Sequence, residues 1–216
     1  MITIDGPAAS GKTSVSRELA RRLQMKWVST GAFYRGLAYA AQRLNLNLRD
    51  EDAMAQLAAS DEWSVEMDAD TTRVYFHGQD VTEELNAESV GGAASIVSQL
   101  PKVRQTLLPL QRACFDKSAG LIAEGRDCGS VVFPQAPVKF YLTARSEDRA
   151  QRRAKDEGKS VDSIHKAQAN RDQQDQSRLV APLQIPKESH VVDTSDMSFD
   201  QVVDHLEKIV RERLRP

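Results

Sequence analysis

The chain is 216 residues long, 40% hydrophobic and 28% charged, ordinary values for a globular domain that buries one core with an appended subdomain. With 29 Lys and Arg against 31 Asp and Glu, the formal net charge of -2 offers no basic field to gather nucleic acid. Two distant cysteines, Cys114 and Cys128, exclude a disulfide framework or zinc site; "MITIDGP" lacks signal-peptide regions, no apolar run reaches the ~18 residues of a membrane span, and the chain reads as cytoplasmic.

In chain order, "MITID" is an isoleucine-rich strand ending in a carboxylate. A glycine-bearing loop follows, then "TSVSRELARRLQ", a helix with Val15, Leu19 and Leu23 on one face. "KWVS" is a second strand and "AFYRGLAYAAQRLN" a second helix, so strand, loop, helix, strand and helix open a parallel α/β sheet. After the short helix "DEDAMAQLAASD" the pattern changes. "WSVEMDADTTRVYFHGQDVT" holds strand-like runs around turns at Ala69–Thr72 and His77–Asp80, an antiparallel hairpin or small sheet inserted in the α/β chain. Such an insert is equally a surface elaboration without catalytic residues.

Helices return with "SVGGAASIVSQL" and "PKVRQTLLPLQRACFDKS", the second of which Pro109 should kink or shift. "GLIAEGRD" reads as a buried parallel strand at Leu121–Ala123 that delivers Glu124, Arg126 and Asp127 at its carboxyl end. "VKFYLTA" is another strand, followed by the charged helix "SEDRAQRRAKDEG" and the polar helix "SVDSIHKAQANRDQQDQSR". "HVVDT" is the last strand, and the final helix begins at Ser198 with Gln201 at capping-box spacing. The expected organisation is one α/β domain over 1–216, with no linker long enough to divide it.

Residues 6–13 match G-x-x-x-x-G-K-[ST], a phosphate-binding P-loop, in the required place between an apolar strand and an amphipathic helix. Gly6 and Gly11 let the backbone amides of Pro7-flanking Ala8, Ala9 and Ser10 curl around phosphates, and the helix start at Thr13 and Ser14 adds its positive dipole end. Lys12 supplies a charge for the β- and γ-phosphates, and the Thr13 hydroxyl is a ligand for Mg²⁺. The loop does not say what receives a phosphoryl group. "TGAFYR" places Arg35 early in a helix, "EGRD" places Arg126 and Asp127 where open α/β sheets bind ligands, and Arg171, Asp175 and Arg178 fall at i, i+4 and i+7 along one helix face. The last set is also what a solvated charged face looks like. Arginines from three segments suit a phosphate dianion, because guanidinium donates in pairs, and their aspartates suit sugar hydroxyls or an exocyclic amine. Arg145, Arg149, Arg152 and Arg153 mark a lid helix that closes over the phosphoryl group, or a merely exposed one. A P-loop switch acting on a partner is the contrasting class; it would hydrolyse slowly with no acceptor stimulation.

"ITIDGPAASGKTS", "TGAFYR", "AASIVSQLPKVRQTLLPLQR", "GLIAEGRDCGSVVFPQAPVKFYLTA" and "RDQQDQSRLVAPL" together resemble the bacterial cytidylate kinases, the CMP kinases of the nucleoside-monophosphate kinase group. The resemblance covers essentially the whole chain. It implies a P-loop kinase fold with a central parallel sheet flanked by helices, a small antiparallel β-containing insert on the acceptor side (about 61–100) and a helical lid (about 145–175). It implies ATP with Mg²⁺ as donor and CMP or dCMP as acceptor. A monomer is the default expectation, since no exposed apolar helix stands out, and charge and hydropathy lead to no expected nucleic-acid or membrane partner. By the resemblance, acceptor contacts fall on Thr30, Tyr34, Arg35, Ser95, Arg104, Arg126, Asp127, Arg171, Asp175 and Arg178, with Ser95, Arg104 and Asp127 at the base, and Lys12, Arg126 and Arg178 carry catalysis. The alternative acceptors are UMP or a non-nucleotide metabolite. Ser29 stands before "TGA" where relatives commonly have aspartate, Glu124 where they often have aspartate, and Gln173, Gln174 and Gln176 where they are more charged. Asp5 and Glu124 are the carboxylates that could take over the missing one's role.

Overall fold

The computed structural model describes residues 1–67, 71–158 and 160–214. The chain falls into two compact units, one formed by Met1–Gln24 with Ile122–Pro216 and the other by Met25–Leu121.

In the first unit β1 (Ile2–Asp5), β6 (Leu121–Gly125), β7 (Val138–Thr143) and β8 (His190–Asp193) run parallel. Their order is β6-β1-β7-β8, and β2 of the second unit spans Lys26–Ser29. Ile2 is in register with Ile122 on one side and Val138 on the other, and Asp5 with Gly125 and Tyr141. Every residue of β1 and β6 is buried, as expected of parallel strands covered on both faces. The core is made by Ile2, Ile4, Ile122, Phe140 and Leu142 from the strands, with Leu19 of α1 (Lys12–Leu23) and Leu206 of α8 (Phe199–Arg213) fully buried. Arg22 on α1 also meets Asp204 and Glu207 of α8 at 2.6 and 3.2 Å, exposed pairs that add little beside that core. Ser198 and Gln201 form the expected capping box, each side chain bonded to the other's backbone N–H. Two further helices, α6 (Ser146–Glu157) and α7 (Val161–Gln176), pack on each other around Ala150, Ala154 and Ile164.

In the second unit α2 (Gly31–Arg43) packs against β3 (Trp63–Met67), β4 (Thr72–Phe76) and α4 (Glu88–Val97), while α3 (Glu51–Ala58) packs on α5 (Pro101–Asp116). Strands β3, β4 and β5 (Gln79–Asp80) form a small antiparallel sheet, with Trp63 opposite Phe76 and Phe76 opposite Gln79. The turn expected over Ala69–Thr72 lies largely on residues outside those described. The second turn is tighter than expected. Both His77 (φ 49) and Gly78 (φ 76) take the left-handed conformation of a two-residue turn, so Gln79 and Asp80 continue as strand.

One further expectation is corrected. Helix α5 runs on through Pro109, which is exposed, so the carbonyl deprived of its donor can be hydrated. The strand expected at Leu121–Ala123 extends through Gly125, and a five-residue π-helical turn at Cys128–Val132 follows it, unforeseen from sequence. No helix among the described residues is long and apolar enough to cross a membrane.

Candidate active site

In the first unit the P-loop leaves the carboxyl end of β1 and enters α1. Gly6 (φ 148) is required twice over, by its backbone conformation and by the approach of Leu142 O on β7, which a Cβ would meet at 2.0 Å. Ala9 is also left-handed (φ 57), and Gly11 (φ 81) caps α1. The Lys12 ammonium is buried beneath the loop and donates to Pro7 O at 2.6 Å and Ser10 Oγ at 3.3 Å. Burial lowers its pKa to about 7, helped by the neighbouring Arg126 charge and opposed by Glu124, Asp5 and Asp175. Asp5, at the end of β1, accepts backbone N–H bonds from Cys128 at 2.8 Å and Gly129 at 2.7 Å. Its burial outweighs those bonds and raises its pKa to about 7.

Thr13 is exposed on the first turn of α1, its hydroxyl donating to Glu124 Oε1 at 3.4 Å. Ser14 is exposed beside it. A hydroxyl next to a carboxylate is a hard-oxygen pair that suits Mg²⁺, which takes few protein ligands and keeps waters and phosphate oxygens. Among the described residues there is no group of three His, Cys, Asp or Glu placed to hold a metal.

Just past β6, Arg126 donates through Nε to Asp175 Oδ2 at 2.8 Å, and Arg178 donates to Asp175 Oδ1. Burial alone would lower the Arg126 pKa, but Asp175, Glu124 and Asp172 together raise it. The set expected along one helix face is arranged differently. Helix α7 ends at Gln176, so Arg178 lies beyond it and turns back to Asp175. Nor is it a solvated face, since the side chains of Asp175 and Arg178 are 9% and 8% exposed. Arg171 is half-buried on α7 one turn before Asp175, and Asp127 is buried at the start of the π-helical turn.

The four arginines of the expected lid separate. Arg145 is exposed and held by Asp148 and Asp196, both at 2.6 Å. Arg152 donates to Thr194 O at 2.7 Å and Thr194 Oγ1 at 3.1 Å, and Arg153 is half-buried. Arg149 alone of the first three reaches the P-loop, with Nη1 on Ala8 O at 2.8 Å and on Asp172 Oδ2 at 2.7 Å. Asp172 in turn accepts from the Ala8 N–H at 3.2 Å. Sequence reasoning passed over Asp172. Its only signal was its position one residue from Arg171, which on a helix turns it ~100° away from that arginine's face.

In the second unit, Thr30 caps α2, buried, with its carbonyl accepting from Gln111 Nε2 at 3.3 Å. Tyr34 and Arg104 come together, the guanidinium 5.4 Å from the ring centroid, and Arg104 also donates to Ser98 O at 3.1 Å. Arg35 donates to Leu85 O, and the half-buried Ser95 donates to Gly91 O at 3.1 Å on α4. Ser29, the departure noted above, is half-buried at the end of β2, its N–H bonded to Thr72 Oγ1 at 2.9 Å.

The cytidylate kinase family model matches residues 2–212. The chain belongs to the cytidylate kinase family. It is 54% identical over 214 residues to a cytidylate kinase of Bdellovibrio bacteriovorus, covering 99% of both chains. It is 42% identical over 213 residues to one of Pseudomonas fluorescens, covering 95% of this chain and 93% of the relative. A cytidylate kinase of Mycobacterium avium is 40% identical over 218 residues, with 99% and 96% covered. Among solved structures, an uncharacterized protein from Eubacterium ventriosum shares the fold at a TM-score of 0.55 and 10% identity, covering 98% of both chains. The family assignment rests on the continuous likeness along both units, and the fold agrees with the α/β P-loop kinase class expected from the sequence.

Proposed function

We propose that this cytidylate kinase family member transfers the γ-phosphoryl group of ATP to the phosphate of CMP or dCMP, giving CDP or dCDP and ADP. The observation that carries the reading is 54% identity to a cytidylate kinase across 99% of both chains. A P-loop with its lysine in place at the head of the sheet supports it. The acceptor oxygen is already anionic near neutral pH, so no general base is needed, and catalysis is positioning with charge neutralisation.

The loop amides of Gly6–Ser14 bind the donor phosphates, and Lys12, Arg126 and Arg178 neutralise charge at the transfer point. Thr30, Tyr34, Arg35, Ser95, Arg104, Asp127, Arg171 and Asp175 bind the acceptor, with an arginine and a carboxylate suited to the acceptor and donor edges of cytosine. Mg²⁺, held by Thr13 and by the donor's phosphates, would supply further charge neutralisation. The region 145–175 acts as a lid that excludes water and so suppresses hydrolysis of ATP. A cytoplasmic monomer is the working state we assign.

A coupled ADP-release assay with CMP, dCMP, UMP and AMP, with and without Mg²⁺, tests the reading. We expect CMP and dCMP to stimulate release strongly, only with Mg²⁺. Removing Lys12 by Lys12→Ala should lower kcat by about 10²–10³-fold, the size expected for a preorganised charge donor at the transition state. Stimulation by none of the cytidine nucleotides, or near-full activity of Lys12→Ala, would refute it.

A further inference from the structure

Ala8 of the P-loop has both its backbone N–H and its carbonyl engaged by side chains from α6 and α7. Its N–H donates to Asp172 Oδ1 at 3.2 Å, and its carbonyl accepts from Arg149 Nη1 at 2.8 Å. Arg149 and Asp172 are paired with each other at 2.7 Å, with side chains only 9% and 14% exposed. Arg149 lies on α6 and Asp172 on α7, and Gln168 Nε2 of α7 donates to Arg149 O at 3.2 Å, so the two helices hold this pair as a unit. Meanwhile Lys12 turns onto Pro7 O and Ser10 Oγ. Both polar backbone groups of Ala8 are thus satisfied by side chains of α6 and α7.

P-loop amides are donors arranged for an anion, and a carboxylate is such an anion. An Asp carboxylate and a nucleotide phosphate cannot both take the single Ala8 N–H, because both are acceptor-only and negatively charged and repel each other there. We propose that Asp172 is an intramolecular anion that occupies the Ala8 amide until donor phosphate displaces it, and that Arg149 then passes from the carboxylate to the phosphates. Asp172 thus lowers donor affinity while tying α6 and α7 to the loop; this rests on the reading of Gly6–Ser14 as the donor site. A purely structural Asp172, one that held the loop in its binding shape, would do the opposite and support affinity.

Calorimetric titration of the whole protein with ATP, without acceptor, separates the two. Replacing the carboxylate in Asp172→Asn should tighten ATP binding by about three- to tenfold, the difference between a charge-assisted and a neutral hydrogen bond to the competitor. Asp172→Glu should restore wild-type affinity. Unchanged or weaker binding by a folded Asp172→Asn protein would overturn the proposal. A second readout needs no variant: carbodiimide-driven amine labelling of carboxylates, read by mass spectrometry, should increase at Asp172 when ATP is added to the wild type. Constant or reduced labelling there would also overturn it. Failure of the wild type to bind ATP at all would sink the donor-site reading as well, whereas wild-type binding without tightening in Asp172→Asn sinks this inference alone.

Discussion

Asp175→Ala is the substitution whose consequence follows most directly from the geometry. One carboxylate accepts from two arginines, Arg126 Nε at 2.8 Å and Arg178, and both Asp175 and Arg178 are less than a tenth exposed. Removing it leaves two like charges facing each other in a largely dry environment, with Arg126 27% exposed and so partly able to hydrate. Removing one partner of a buried ion pair costs about 3–5 kcal/mol, most of it the penalty of the charge left behind. With an unfolding entropy of about 2.1 cal/mol/K per residue, 216 residues give about 0.45 kcal/mol/K, and Tm should fall by about 7–11 °C. Differential scanning calorimetry at pH 7 in low salt measures this. Inorganic phosphate, which can take the vacated place between the guanidinium groups, should recover part of the loss and stabilise the variant more than the wild type. A variant that melts within about 2 °C of the wild type, or that phosphate does not favour, would show that the two arginines do not depend on this carboxylate.

Nucleotide binding should be linked to protons through Lys12. Its pKa lies at about 7 in the free protein, so at pH 8 the amine is mostly neutral, and bound phosphate restores the charged form. Calorimetry in buffers of differing ionisation enthalpy should therefore register uptake approaching about 0.9 proton at pH 8, falling toward zero at pH 6; no uptake at pH 8 would contradict a Lys12 pKa lowered by burial. Gly6→Ala puts a Cβ against Leu142 O at a backbone angle that favours glycine. Backbone strain of about 1–3 kcal/mol and overpacking of similar size should lower stability by about 2–6 kcal/mol, read by urea denaturation. An unchanged midpoint would refute the close approach.

Local patterning decided much of this protein. The G-x-x-x-x-G-K-[ST] loop follows β1 and opens α1 as its residues require, and β2 spans the "KWVS" run read from sequence. The capping box at Ser198 is equally local, a pair of side chains three residues apart acting on backbone groups within one turn. These features depend on neighbours in the chain, and so they can be read from it.

Long-range placement was not legible, because it depends on which distant segments meet. The spacing of Arg171, Asp175 and Arg178 fitted a helix face, yet the chain leaves the helix at Ser177 and Arg178 returns to Asp175 as a buried partner. The four lid arginines were alike in sequence; only the folded chain sends Arg145 to Asp196, Arg152 to Thr194 and Arg149 to Ala8. The depressed pKa of Lys12 is likewise a property of burial, which no motif encodes. Sequence alone determined that a phosphate cradle stands at the head of a parallel sheet. Tertiary structure decided what meets the loop from afar: Asp172, 164 positions away from Ala8, accepts its N–H because two helices pack on each other around Ala150, Ala154 and Ile164.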